Sequence, residues 1–438
     1  MDDIQNRFTK LGLFLPEILL PNPAIELEKW AVIACDQFTQ HRWYWKNVEN
    51  AINGAPSTLN LIFPEIFLFD EDRCVRIDAI HRTMEQYLAG NVFSDARRGC
   101  VYVERSTTYN ACRRGLVIAV DLEHYDWSPH ARPLIRSTEG TVTERLPPRM
   151  DIRRDSALET THVLILIDDE QDRLLPALAE RAKRREPVYH SRLMPDSGDI
   201  SGWFVDSPDD WAFIAGELEE LARLASTRFG SVGAEKIAAN SAPGVAEPFL
   251  FAVGDGNHSL AAAKEIWEEY KKNHPAGISS DGIPVHPCRY ALVEIENLYD
   301  PAVQFEPIHR IVFDVQPSEL LDALASVKNI NCVQEQSNNR VIRIENLSPH
   351  ITTASLQPLL DRFVMQKGCS IDYIHGEDEV LRIAADNERQ AVGLILPPVR
   401  KDGLFKTVAK SGPLPQKSFS MGKADEKRFY LECRKLFG

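Results

Sequence analysis

The sequence predicts a mixed α+β protein of two lobes, with mixed sheets flanked by helices. Three observations predict it. Apolar runs of strand length alternate with helix-period stretches along 438 residues. That length exceeds what one hydrophobic core ordinarily organises. A single Gly-, Ala- and Ser-rich passage, Thr227 to Pro248, interrupts the pattern near the middle. It predicts a boundary between an N-terminal lobe, residues 1–230, and a C-terminal lobe, residues 231–438.

Taken in order, Ile77, Ile80, Met84 and Leu88 fall on one helical stripe, and Gly90 stops it. VYVER from Val101 and GLVIAVDLE from Gly115 read as neighbouring strands, and THVLILIDD from Thr161 as a buried one. The acidic start of DDWAFIAGELEELARLAS, Asp209 to Ser226, opens a helix. Phe249 to Val253 make a short buried strand, after which Leu260, Ala263, Ile266 or Trp267, and Tyr270 keep helical spacing. RYALVEIE from Arg289, RIVFDV from Arg310, NRVIRIENL and AVGLILPP continue as strands, with SELLDALASV helical among them. The charged stretch from Ala424 predicts a closing amphipathic helix.

Composition narrows the class. Hydrophobic residues are 44% and charged residues 26%, ordinary globular usage. A net charge of −14 repels duplex DNA, whose non-specific binding needs clustered Lys and Arg, so nucleic acid is not an expected partner. Eight cysteines without a CxxC pair read as reduced thiols. The acidic first residues lack the basic region and apolar core of a signal peptide, and no run reaches the roughly 18 apolar residues of a membrane helix. The expected location is cytoplasmic, with no membrane partner. Oligomeric state is left open.

The chemistry concentrates in FAVGDGNHSLAAAKEIW, Phe251 to Trp267. Here a strand hands over to a helix whose first N–H groups and dipole favour an anion such as phosphate. Gly254 and Gly256 let backbone approach a ligand closely. A side-chain cap from Asp255, Asn257 or Ser259 is the plainer alternative. The Gly254, Gly256, Ser259 spacing is an incomplete dinucleotide fingerprint, and GPLPQKS at Gly412 lacks the glycine and the amide donors of a P-loop. Asp255 would repel phosphate unless a cation compensates, which points to Mg²⁺ there. His258, in the first helical turn, can donate to phosphate or move a proton near neutral pH.

GDGNHSLAAAK occurs together with WAVIACDQFTQHRWYW (Trp30 to Trp45), PSTLNLIFPE (Pro56 to Glu65), RSTEGTVTERLPPRMDIRR (Arg136 to Arg154), NLYDPAVQFEPIHR (Asn297 to Arg310), IDYIHGEDEV (Ile371 to Val380) and PQKSFSMG (Pro415 to Gly422). This set resembles the domain of unknown function 1015 family over nearly the whole chain. The loop itself is similar to the phosphate-binding loops of the ParB and sulfiredoxin superfamily and of the free serine kinases. That resemblance implies a nucleotide-binding unit in which Asp255, Gly256, Asn257 and His258 form the phosphate and metal neighbourhood, with Asp255 toward metal; Gly254 and Ser259 beside them are further candidates for phosphate contact. Ser259 stands where those relatives carry an arginine.

Substitute cations are at hand in Arg136, Arg145 and Arg149, on a loop stiffened by Pro147 and Pro148, and in Arg310, whose neighbour His309 is a further catalytic candidate. Asp36, at an expected strand end, or Glu139 would serve as general base. The leading expectation is a phosphotransferase using ATP or ADP with Mg²⁺ on a small polar metabolite, an amino-acid hydroxyl being one acceptor of that class. The alternatives are a non-catalytic, ParB-like nucleotide-binding regulator, or a nucleotide-independent hydrolase or lyase.

Overall fold

The computed structural model describes residues 2–39, 41–110, 112–194, 196–229, 247–274, 286–325, 330–334, 340–346, 349–386, 390–398 and 400–437. Its contacts divide the chain into two compact units. One comprises Met1–Ser137, Thr141–Val303 and Ala424–Gly438; the other comprises Thr138–Gly140 and Gln304–Lys423. The passage expected to separate two lobes lies largely outside the described residues, and the strand that follows it belongs to the first unit.

The first unit is built on a mixed sheet. Its strands run in the order Tyr189–Arg192, Asp199–Val205, Cys100–Ser106, Arg113–Asp121, Tyr290–Asn297, Val163–Ile167, Phe251–Asp255 and Ile135–Ser137, with Leu13–Phe14 added beside Arg113–Asp121. Successive side chains on a strand point to opposite faces, so each central strand feeds two cores. Tyr102, Leu116, Ile118, Ile165 and Val253 pack with Leu178, Ile214, Leu218, Leu260 and Trp267 from helices. Val101, Val103, Val117 and Leu292 face the other way, against Trp30, Trp45, Ile77, Phe429 and Leu431.

Strand Phe251–Asp255 lies antiparallel to Val163–Ile167 and parallel to Ile135–Ser137. Because the pairing with Val163–Ile167 is antiparallel, the end of one strand sits at the beginning of the other. His162 is thereby brought beside Asp255 and Gly256. Helix Asn257–Asn273 then leaves the sheet, burying Leu260, Ala263 and Trp267 on the face the spacing predicts.

The charged C-terminal stretch corrects the expectation of a closing helix. Beyond a short turn at Ala424–Glu426 it is extended: Phe429–Tyr430 pairs antiparallel with Val32–Ile33, and Cys433–Lys435 with Leu158–Thr160. Its charges are not a solvated face. Arg428, Glu432 and Arg434 are buried, Arg428 against Glu294 and Glu432, and Arg434 against Glu159. Ion pairing inside the sheet decides the conformation that charge patterning alone assigns to a surface helix.

The second unit carries its own mixed sheet, ordered Ile330–Gln334, Val341–Asn346, Ala391–Ile395, Phe305–Phe313 and Ser370–His375, with Phe419–Met421 pairing the first half of Phe305–Phe313. Leu320, Leu324, Leu356 and Leu360 from two helices cover one face, and Val380 and Ala384 cover the other. No helix among the described residues is long and apolar enough to cross a membrane.

Candidate functional site

The strand-to-helix junction is shaped by two glycines. Pairing with Val163–Ile167 shifts register between Val253 and Asp255, so Gly254 occupies a β-bulge that re-aims the aspartate. Gly256 takes φ +80°, and a Cβ there would lie 3.1 Å from His162 Cδ2 and 3.2 Å from Val163 Cα. A left-handed, closely approached position of this kind selects glycine. Gly256 is the N-cap of helix Asn257–Asn273 and brings no side chain of its own to that position. Among the described residues, Asn257 Oδ1 is buried without a hydrogen-bond partner, as is Thr141 Oγ1.

Asp255 has a protein cation. Its Oδ1 accepts from the Gly256 N–H at 2.9 Å, and its Oδ2 lies 2.8 Å from Lys427 Nζ. Burial opposes ionisation, but the Lys427 ammonium outweighs it, with help from His162 and the Gly256 amide, and holds the carboxyl well below its usual range, at about 2. Lys427 takes the compensating role that the sequence reading assigned to Mg²⁺. Among the described residues, no three His, Cys, Asp or Glu side chains gather as a metal site.

Around this pair the first unit assembles further polar groups. His258 Nε2 accepts from the Val142 N–H at 3.1 Å, which ties the Thr141–Val142 turn to the helix start. His162 Nδ1 lies 2.6 Å from the Tyr430 hydroxyl, whose oxygen accepts from the Cys35 N–H at 2.9 Å. Asp36 follows Cys35 and accepts from Gln37 Nε2 at 2.9 Å. Glu65 is bonded to Arg149, and its amide donates to Cys35 O at 2.8 Å. Burial raises the Glu65 pKa; Arg149 opposes the rise, Asp36 adds to it and His162 works against it. Asp36, Glu65, His162, Arg149, Asp255 and Lys427 thus form one electrostatic neighbourhood.

Other candidates are placed differently. Arg136 is buried, donating to Pro133 O and Glu247 O and stacking on Phe249, all toward the start of its strand and of Phe251–Asp255. Burial lowers its pKa to about 10. Arg145 is exposed and offers its carbonyl to Arg149 Nη1 at 2.7 Å. Ser259 lies half-buried in the first helical turn.

Glu139, His309 and Arg310 belong to the second unit. Glu139 accepts from the backbone N–H groups of Lys417, Ser418 and Phe419, which gives it a turn-stabilising role in place of an available base. His309 Nδ1 accepts from the Leu396 N–H at 3.1 Å, and burial lowers its pKa to about 4, so the ring is neutral. Arg310 is fully buried against Gln357, Ile308 O and the Tyr373 ring.

Sequence reasoning missed Lys427, His162, Tyr430 and Glu65. Lys427 and Tyr430 lay in the stretch read as a helix, and His162 at the edge of an apolar run read only for its strand. Glu65 ends the PSTLNLIFPE motif, the one signal that pointed near it.

No curated protein sequence matches the chain. Among solved structures, a conserved hypothetical protein from Pyrococcus furiosus is 9% identical with a TM-score of 0.32, covering 73% of this chain and 95% of its own. A free serine kinase in complex with AMP is 9% identical with a TM-score of 0.33, covering 73% and 91%. SbnI with C-terminal truncation from Staphylococcus aureus is 9% identical with a TM-score of 0.33, covering 70% and 82%. The family model described as "Protein of unknown function (DUF1015)" matches residues 19–433.

Proposed function

We propose that this chain, which belongs to the DUF1015 family, is a nucleotide-dependent phosphotransferase acting on a small polar metabolite, with the junction at Gly256 as its phosphate site. One observation carries the reading: the helix at Asn257 starts from a left-handed glycine N-cap, beside an aspartate already neutralised by Lys427. N–H groups of a first helical turn, a positive helix end and a nearby ammonium are together suited to a phosphoryl group. The unpartnered Asn257 Oδ1 and Thr141 Oγ1 fit a polar occupant at the same place.

In this reading Gly254 and Gly256 admit the phosphate chain of ATP or ADP, and the Asn257 and Ser259 amides hold its oxygens. Lys427, fixed by Asp255, balances charge that develops during transfer. Mg²⁺ arrives as counter-ion of the nucleotide. Asp36 takes the proton of the acceptor hydroxyl, and Arg149 orients Glu65 beside it. Nearly all the catalysis is positioning and electrostatics.

The test is calorimetric titration of the full chain with ADP and with ATP in Mg²⁺, followed by ³¹P NMR of a mixture containing ATP or ADP and free serine. Binding that Asp255→Asn weakens, together with a phosphomonoester signal, supports the reading. Absence of binding by both nucleotides overturns it.

A further inference from the structure

We infer that His162 is a further working residue of this site: the Tyr430 hydroxyl fixes its ring in the tautomer bearing hydrogen on Nε2, and that N–H is presented to the anion at Gly256. The inference rests on the phosphate-site reading above and names a donor that reading does not contain.

Hydrogen counting carries the argument. Tyr430 has one hydroxyl hydrogen, and its oxygen already accepts from the Cys35 N–H at 2.9 Å. The remaining neighbour is His162 Nδ1 at 2.6 Å, so the hydroxyl donates to it and Nδ1 carries no hydrogen. The neutral ring then bears its hydrogen on Nε2. Burial pushes the Tyr430 pKa well above its ordinary value, with Cys35 and Asp36 adding to the shift, so the phenol keeps the hydrogen it donates.

Ring placement completes the case. The His162 and Tyr430 rings lie nearly parallel, at 19° with centroids 5.7 Å apart, which suits a hydrogen bond in the plane of the imidazole. Its Cδ2 corner, adjoining Nε2, packs where a Cβ on Gly256 would come within 3.1 Å. Among the described residues Nε2 has no hydrogen-bond partner. A donor held by a second residue, one ring atom from the carbon that adjoins the helix start and left unused, matches the way positioned histidines serve a ligand. Tyr430 is the positioning residue; His162 is the one that touches the phosphoryl oxygen.

The experiment is long-range ¹H–¹⁵N NMR of the full chain labelled at histidine, near neutral pH, with His162→Gln assigning the signals. The expected spectrum has an unprotonated Nδ1 and a protonated Nε2, and Tyr430→Phe mixes the tautomers. ADP moves the Nε2 resonance. His162→Leu weakens ADP about tenfold, the loss of one hydrogen bond to a charged group. His162→Gln, whose amide reaches the Nε2 position, restores most of the affinity.

A hydrogen on Nδ1 in the ligand-free protein overturns the inference without requiring any variant to fold. So does ADP binding that neither moves Nε2 nor weakens in His162→Leu, an outcome that leaves the phosphate site itself standing. Failure of the wild-type chain to bind either ADP or ATP overturns both.

Discussion

Lys427 Nζ stands 2.8 Å from Asp255 Oδ2, joining residues 172 apart in sequence across the mouth of the candidate site. The Asp255 carboxyl titrates at about 2 in the fold, below its ordinary 3.8. A depressed carboxylate stabilises the fold fully above its unfolded pKa, and that contribution is lost as pH falls through the folded value. Lys427→Met is therefore expected to cost on the order of 2 kcal/mol near neutral pH and much less toward pH ~2. Urea unfolding of Lys427→Met, Asp255→Asn and the double variant checks it. Strictly additive losses would show that the two side chains are not coupled.

His124 and Glu247 give a titration of opposite sign. The Glu247 carboxylate, 2.8 Å from His124 Nδ1, outweighs burial and raises the histidine pKa above 6.5. Stability from this pair is complete below the unfolded histidine pKa and fades as pH rises through the higher folded one. Wild type should therefore exceed His124→Gln in urea midpoint at mildly acidic pH, where Glu247 is still ionised, with the gap closing as pH rises through the raised histidine value. A gap that widens with pH would refute the pairing.

Much of this architecture is legible in the sequence, and the failures have a physical pattern. Strands at Val101, Gly115, Thr161 and Arg289, and the helix after Gly256, follow from side-chain period, because each buries an apolar face. The junction at Asp255–Gly256 is legible for the same reason: an apolar strand run ends at glycines just where helical spacing begins. Lys427, Tyr430 and His162 are not legible, since each is placed by partners more than a hundred residues away. Charged residues that pair inside a fold look, in one dimension, like charged residues that face water. Arg428 and Glu432 show the cost of that ambiguity.

Gly256→Ala tests whether the junction backbone matters beyond its sequence signature. At φ +80° an alanine is strained, and its Cβ would press on His162 Cδ2 at 3.1 Å and on Val163 at 3.2 Å. A loss of about 1–2 kcal/mol in thermal or urea unfolding is expected from the conformation alone. The same substitution should disturb the His162 resonances, since the ring must yield or the turn must open. An alanine variant as stable as wild type, with unshifted His162 signals, would contradict this geometry.

Two glycines offer the sharpest comparison of buried charge with simple helix propensity. A Cβ on Gly115 would fall 2.0 Å from Glu294 Oε1. Glu294 is fully buried, with Arg105 at 3.5 Å and Arg428 at 3.1 Å. Arg105 Nη1 in turn donates to Lys427 O at 2.7 Å, so displacing Glu294 disturbs the backbone that presents Lys427 to Asp255. Gly115→Ala is therefore expected to lose about 3 kcal/mol or more, since the buried acid can neither stay nor leave its arginines unpaired. Gly216 lies inside helix Pro208–Phe229, where a Cβ meets nothing nearer than Arg7 Nη2 at 3.7 Å. Gly216→Ala should gain about 0.5–1 kcal/mol from helix propensity. Opposite shifts in unfolding midpoint are the expected result, and equal shifts would remove the case that Gly115 exists to make room for Glu294.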